Sequence, residues 1–197
     1  MESIHRLADE IREVFSERGH KVETAVGLDP AFTRNKRPES ALVRSLVTDA
    51  ITNAAPRLGV GIVPAPGGAV ELAVLHNFTE RRLRVLKATR DEETGEFVII
   101  ADRAILDISD ADPESAFRHE RWVLGYTTDD AGMIHDIFAA AVLDVTGDSV
   151  TRAVLGPITL LGSGTDPFGG KFQPADDDLP GFDIEVGEDG ATGSTEA

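Results

Sequence analysis

Apolar side chains recur every three or four positions near the amino terminus, which is the spacing of one helix face. This pattern predicts a helix over residues 3–18, with Ser3 as its N-cap and Gly19 as its C-terminal end. A second helix is predicted to begin at Pro38, a residue that suits a first turn, and to end at Pro56.

The segment between these two helices has no clear period, and it is interpreted as a short strand at residues 22–26 followed by a polar loop. From residue 58 onwards the apolar spacing shortens to two, which is typical of strands. Turn-forming residues separate the strand-like runs and predict two hairpins, one joining 58–63 to 69–75 and one joining 82–88 to 97–101.

Residues 134–145 fit two structures. Their apolar positions match one face of a helix, whereas their place between two turns favours a strand. The helix is the preferred interpretation, and the strand stays open as the alternative. Further short strands are predicted at 104–108, 121–127, 151–155 and 158–161.

Together these segments predict an α+β fold, in which two N-terminal helices precede a mostly antiparallel, hairpin-built sheet. Residues 1–162 are expected to form a single globular domain. Residues 163–197 are expected to be a disordered acidic tail, since they carry nine carboxylates, one lysine and few apolar side chains. Such a segment buries too little apolar surface to offset an ordering entropy of about 1–2 kcal/mol per residue.

The tail contains one compact segment that combines acidic and apolar side chains. Acidic residues steer such a segment towards a basic surface, and the apolar side chains anchor in a small pocket. The segment resembles the acidic tip of bacterial single-stranded DNA-binding proteins, which recruits partner proteins, although here it is internal. The predicted partner-binding residues are Asp176, Asp177, Asp178, Leu179, Phe182 and Asp183.

The formal net charge of −16 opposes general binding to nucleic acid, because phosphates repel an acidic protein. The chain has no cysteine, which excludes disulfides, thiolate zinc sites and cysteine nucleophiles. No signal-peptide core and no long apolar run is recognised. A soluble, cytoplasmic protein without a membrane partner is therefore expected.

No catalytic motif and no phosphate-binding loop is recognised, so the interpretation leans towards a non-enzyme without a cofactor or bound metal. One alternative stays open. Glu71 together with Asp102 or Asp107 has the oxygen ligands that a divalent metal ion prefers, although a solvent-facing carboxylate is favoured.

The run at residues 81–87 is basic, and strand alternation puts Arg82 and Arg84 on one face. These two residues are the candidate contacts for a nucleic-acid backbone. Pairing with nearby carboxylates such as Glu92, Glu93 and Glu96 is the favoured interpretation. Four aromatic residues are assigned to the core, namely Phe78, Phe97, Trp122 and Tyr126.

The leading hypothesis is a non-enzymatic interaction or regulatory protein, whose acidic tail docks on a basic protein partner. An inhibitor-like or antitoxin-like role is one form of this hypothesis. The alternative is a nucleic-acid-binding or processing domain, in which the acidic tail autoinhibits the basic strand face of Arg82 and Arg84.

Overall fold

The computed structural model describes residues 1–65, 69–101, 118–147 and 151–162. It confirms an α+β fold in which helices come first and a mostly antiparallel sheet follows. The strand predicted at 104–108 and the predicted tail at 163–197 lie outside the described residues.

Three helices precede the sheet, namely α1 Glu2–Arg18, α2 His20–Gly27 and α3 Arg37–Ala54, and a 3₁₀ turn at Ala55–Leu58 follows α3. None of the helices in the described residues is long and apolar enough to cross a membrane. The strand predicted at 22–26 is wrong, because α2 occupies that segment and buries Val22 against the core.

Gly19 directly follows the last residue of α1 and caps it, as predicted, but its backbone is helical, with φ −59° and ψ −39°, and α2 begins at the next residue. A side chain at this position would overlap the Sδ atom of Met133, so glycine is needed here for close packing. The predicted N-cap at Ser3 is wrong. The amides of Ile4 and His5 donate to the Met1 carbonyl at 3.0 and 3.1 Å, so the helix already begins at Glu2.

The described residues form ten strands, namely β1 Gly61–Pro64, β2 Val70–His76, β3 Thr79–Lys87, β4 Thr89–Arg90, β5 Phe97–Val98, β6 Ile100–Ala101, β7 Arg118–Thr128, β8 Ile134–Thr146, β9 Thr151–Leu155 and β10 Thr159–Leu160. The main sheet has the strand order β1-β2-β3-β7-β8-β9-β6, and β10 also pairs with β8. All of these pairings are antiparallel except that of β3 with β7. Strands β4 and β5 form a separate hairpin.

The helix preferred for residues 134–145 is wrong, because this segment is strand β8 and pairs with β7 on one side and with β9 and β10 on the other. Its side chains alternate between the faces of the sheet. Ile137 and Ala139 join the core under the helices, while Phe138 and Ala140 join the core on the opposite face. Both sets are apolar, so the sequence shows no polar alternation and mimics a buried helix.

The helices cover one face of the sheet and form the larger core with it, and Trp122 and Tyr126 lie there as the sequence predicts. Burial raises the pKa of the Tyr126 hydroxyl. A smaller core on the opposite face contains Phe97, whose ring stacks on Phe138 with 4.2 Å between the centroids. Both faces of the central strands are therefore buried, which leaves sites to the hairpins and the sheet edges.

Candidate functional site

Arg82 and Arg84 lie on the sheet face opposite the helices, where they meet carboxylates of neighbouring positions. Arg84 is 1% exposed, and its Nη2 atom is 2.8 Å from Oε2 of Glu71. Arg82 contacts Glu71 at 3.5 Å and Glu80 at 3.1 Å. We call this group of Arg82, Arg84, Glu71 and Glu80, with His119 beside Glu80, the arginine face.

The ion pairs of the arginine face have partners other than the ones favoured from the sequence. The partners are Glu71 and Glu80 rather than the carboxylates of residues 92–96. Arg84 is buried, and its Nε and Nη1 atoms have no hydrogen-bond partner in the described part of the chain. A phosphate backbone therefore has little access to Arg84, although the nucleic-acid hypothesis itself stays a prediction.

Of the residues considered for a metal site, Glu71 forms ion pairs with two arginines. Asp102 and Asp107 lie outside the described residues. Within the described ranges, no three His, Cys, Asp or Glu side chains come close enough together to hold a metal ion. The carboxylate of Glu71 has a structural role in this arrangement, since it neutralises a guanidinium inside the fold.

A second region, at the far end of the sheet, is a groove of about 710 Å³. Strand β6 covers β9 only in part, since it pairs with Thr151 and Arg152. The carbonyl of Ile99, just before β6, accepts one further hydrogen bond from the amide of Ala153 at 3.1 Å. The rest of β9 borders the groove, and the turn of the β4–β5 hairpin forms the opposite wall. The groove is lined by Gly95, Glu96, Phe97, Arg152, Ala153, Val154, Leu155, Gly156 and Ile158.

The floor of the groove is apolar, and part of it is open to solvent. Val154 and Ile158 are 38% and 40% exposed, and Phe97 is held from beneath by the ring of Phe138. Two further exposed apolar residues lie beside the groove. Ile100 is the register partner of Arg152, and Leu143 forms the bulge next to Gly156. Contiguous exposed apolar side chains of this kind are typical of interaction surfaces.

The turn that forms the rim of the groove carries acidic residues and is held in a defined shape, whereas Arg152 contributes a cation to the lining. Asp91 accepts hydrogen bonds from the amides of Glu93 and Thr94 at 3.1 and 3.0 Å, and Gly95 takes the left-handed conformation with φ 71°. These bonds, first that from Thr94 and then that from Glu93, hold the pKa of Asp91 below its usual range, and Arg152 adds a smaller effect. The Asp91 carboxylate therefore orders the turn through these hydrogen bonds.

Three other carboxylates of this turn point into solvent. Glu92, Glu93 and Glu96 are exposed, and none of them takes part in an ion pair among the described residues. The turn and the positive φ of Gly95 agree with the sequence, but the predicted hairpin of 82–88 with 97–101 is wrong. Residues 82–87 belong to β3, which pairs with β2 and β7, and only the short strand β4 pairs with β5. We call the groove with this rim the acidic groove. Its chemistry is that of a binding surface, with apolar contact below and negative charge beside it.

The predicted partner-binding residues of the tail, Asp176 to Asp183, lie outside the described residues. No protein-family model, curated protein or solved structure matches this chain. The acidic groove was missed in the sequence, because its lining comes from two segments more than fifty residues apart. Only the acidic turn left a local signal in the sequence, and its carboxylates were interpreted as partners of the basic strand rather than as part of a binding surface.

One core assignment is wrong in an informative way. Phe78 is 79% exposed, because the link between β2 and β3 is a two-residue turn made by Asn77 and Phe78. Both residues have positive φ, 47° and 59°, which is the conformation of a type I′ turn. A tight turn of this kind directs the Phe78 ring away from the sheet and into solvent.

Proposed function

We propose that this chain is a non-enzymatic protein-interaction protein, which binds a basic partner through the acidic groove. The observation that supports this proposal most strongly is the combination of an exposed apolar floor with three exposed carboxylates on the rim, none of which forms an ion pair within the described ranges. Apolar contact supplies affinity, and the carboxylates select partners that carry lysine or arginine next to apolar side chains.

The shape of the groove favours an extended segment of the partner. Strand β9 is covered only in part by β6, so a peptide that lies along the remainder of β9 can form main-chain hydrogen bonds with it. Alternate side chains of such a peptide then face Val154 and Ile158, while its basic residues face Glu92, Glu93 and Glu96. Burying the remaining surface of one aliphatic side chain contributes about 1 kcal/mol.

The acidic tail supports the same kind of partner. Residues Asp176–Asp178 carry three negative charges next to Leu179 and Phe182, which is a composition suited to a basic surface with an apolar pocket. Two acidic elements on one chain raise the overall affinity for a partner that carries two basic sites, because the second contact forms at a high effective concentration. An inhibitor-like role fits this arrangement, since two weak contacts can cover a basic functional surface.

The test is a pull-down from cell extract with tagged full-length chain, followed by identification of the captured proteins. The groove variant is Ile158→Asp, and the tail variant combines Leu179→Ala with Phe182→Ala. Ile62 on edge strand β1 is 39% exposed, almost the same as Ile158, so Ile62→Asp is the matched control. We expect a basic protein to be lost with Ile158→Asp, to be weakened by the tail variant, and to be retained by the control.

Equal capture by the groove variant and the control would contradict a role for the acidic groove. The nucleic-acid alternative makes a different prediction, which the same material tests. Neutralising the tail aspartates with Asp176→Asn, Asp177→Asn and Asp178→Asn in the full chain should then release salt-sensitive binding of nucleic acid. We favour the protein partner, because Arg84 is buried and Arg82 shares its charge with two glutamates.

A further inference from the structure

The strands at one end of the main sheet, β8, β9 and β6, have one buried side and one exposed side. Side chains alternate between the two sides of a strand. Val145, Ala153 and Ala101 pack into the smaller core. The residues between them therefore point to the opposite side of the sheet, where they are exposed to solvent.

The strand register joins these exposed residues into one surface. Ile100 on β6 lies opposite Arg152 on β9, and Val154 on β9 lies opposite Asp144 on β8. Arg152 and Val154 are two positions apart on the same strand, so their side chains point to the same side. All four residues consequently lie next to one another on the exposed side of the three strands.

Leu143 joins this surface through the bulge of β8. It is the extra residue in the register shift between Val142 and Asp144. A Cβ atom at Gly156, two positions after Val154, would lie 3.5 Å from Cδ2 of Leu143, so this side chain lies over the end of β9 on the exposed side. We call the five residues the outer sheet face, namely Ile100, Leu143, Asp144, Arg152 and Val154.

The outer sheet face is largely aliphatic. Ile100 is 60% exposed, Leu143 67% and Val154 38%, and none of them belongs to either core. Adjacent aliphatic side chains at the end of a sheet gain free energy when another surface covers them. This part of the molecule therefore has the character of a contact surface.

The charges of the outer sheet face cancel although the whole chain has a net charge of −16. Arg152 and Asp144 are both exposed, and neither forms an ion pair in the part of the chain that the structure describes. Arg152 affects the pKa of Asp91 slightly, but the two side chains are not within ion-pair distance. A surface with one free cation and one free anion is complementary to a copy of itself turned by a two-fold axis.

We propose that the outer sheet face binds the same face of a second copy of this chain, in a two-fold symmetric dimer. Arg152 of each copy then meets Asp144 of the other copy, and the aliphatic side chains pack between the two sheets. Three strands with a spacing of about 4.8 Å present a face about 15 Å across. Since a stable complex buries about 800 Å² per partner, a face of this size supports a weak and reversible dimer.

The dimer has a consequence for the acidic groove. Arg152 and Val154 also line that groove, so the second copy and a basic partner compete for them. This consequence rests on the proposed function, whereas the dimer itself does not. The dimer would be the form that the chain takes when no basic partner is present.

The first test is sedimentation velocity of the full chain over a wide range of protein concentration, at low and at high salt. We expect a monomer–dimer equilibrium in which high salt strengthens the dimer, because salt screens the repulsion between two chains of charge −16. Capture of a basic partner should instead weaken with salt, since that attraction is between opposite charges. The salt dependence therefore distinguishes the two kinds of association.

The second test replaces an aliphatic residue of the face. Leu143→Asp should raise the dissociation constant of the dimer by about ten-fold or more, because it places a carboxylate in the apolar contact. Leu28 is a matched control, since it is a leucine outside the face and is 77% exposed, and Leu28→Asp should leave the dimer unchanged. Both positions are exposed, so both variants should melt at nearly the temperature of the unchanged chain.

The third test reverses the two charges separately. Arg152→Asp places like charges opposite each other in the dimer, and so does Asp144→Arg, so each variant alone should be monomeric. An equimolar mixture of the two variants should form a dimer again. In the mixed dimer, both contacts join a carboxylate to a guanidinium.

Any of three results overturns the proposal. The first is a monomer at every concentration and salt, and the second is a dimer that Leu143→Asp does not weaken. The third is a mixture of the two charge variants that stays monomeric. A monomeric chain whose pull-down loses a protein with Leu143→Asp would assign the outer sheet face to a different partner. These measurements of oligomeric state do not involve Ile158, so failure of the dimer and failure of the acidic groove are distinguishable.

Discussion

The arginine face and the acidic groove are both rich in charge, but they use their charges in opposite ways. On the arginine face, Arg84 is 1% exposed and pairs with a nearly buried Glu71. On the acidic groove, Glu92, Glu93 and Glu96 extend into solvent without an ion-pair partner among the described residues. A charged run in the sequence therefore does not identify a site. Whether the charge is paired inside the fold decides whether a partner can use it.

A substitution should also have different effects in the two regions. Removing one member of a buried pair leaves the other charge unsolvated, and this destabilises the folded state. Removing an exposed carboxylate changes the folded state little, but it removes attraction towards a basic partner. Stability measurements and binding measurements should consequently separate the two regions.

The largest effect is expected for Glu71→Gln, which leaves Arg84 without a compensating charge. We expect the free energy of unfolding to fall by about 3–5 kcal/mol. Urea denaturation followed by circular dichroism measures this change. The double variant Glu71→Leu with Arg84→Met should recover most of the loss, because it removes both charges and keeps the volume. A loss below 1 kcal/mol for Glu71→Gln would show that the pair is not structural.

A smaller effect is expected for Gly125→Ala on β7. A Cβ atom at Gly125 would overlap the ring of Phe138, which stacks on Phe97 in the floor of the acidic groove. Overpacking of this kind destabilises by about 1–3 kcal/mol. The shift of Phe97 should also weaken capture of a basic partner. If Gly125→Ala destabilises the protein but does not change capture of the partner, then binding in the groove does not depend on the packing beneath Phe97.

Tyr126 is buried and neutral at ordinary pH, and its effect on stability can be compared with that of the buried Glu71–Arg84 ion pair. Tyr126 has a pKa raised above its usual value by burial, so the unfolded chain loses this proton at lower pH than the folded chain does. Below about pH 10 the hydroxyl is neutral in both states and does not affect the pH dependence. As the pH rises above that value, the stability should fall by at most about 1.4 kcal/mol per pH unit from this group. The Tyr126→Phe variant should show a shallower alkaline decline, and an identical decline would contradict the assignment.

The smallest effect on stability is expected for the rim. The triple variant Glu92→Gln, Glu93→Gln and Glu96→Gln should unfold within about 0.5 kcal/mol of the unchanged chain. Its association with a basic partner should nevertheless slow, and the difference should vanish at high salt. Stopped-flow association at two salt concentrations measures this. Equal association rates at low salt would leave the rim without a role in binding.

The sequence predicts much of the fold where one face of an element is polar. The periodicity of α1 was recognised for this reason. The turn at Asp91–Gly95 was recognised from its turn-forming residues. Strand β8 was not recognised, because both of its faces are apolar. Helix α2 was not recognised, because Gly19 ends α1 with a helical backbone and a second helix begins at the next residue. The turn at Phe78 was missed since its second residue is not glycine.

The candidate sites could be predicted from the sequence less well than the fold. The acidic groove combines residues near 96 with residues near 155, and only tertiary packing brings them together. Likewise, the partners of Arg82 and Arg84 come from β2 and from a position two residues away, rather than from the acidic turn that follows in the sequence. Pairing across strands depends on register, which a charge pattern alone does not specify.

The parallel pairing of β3 with β7 has a consequence for how the chain reaches its native state. Thirty residues separate Lys87 from Arg118, so this ladder requires closure of a long loop, at an entropic cost of about 3 kcal/mol. The hairpins β2–β3 and β7–β8 need only short connections and should form first. The rate-limiting event is then expected to be the docking of these two preformed hairpins along β3 and β7. The ladder at the middle of the sheet would thus be the last part of the sheet to acquire protection against amide hydrogen exchange during refolding.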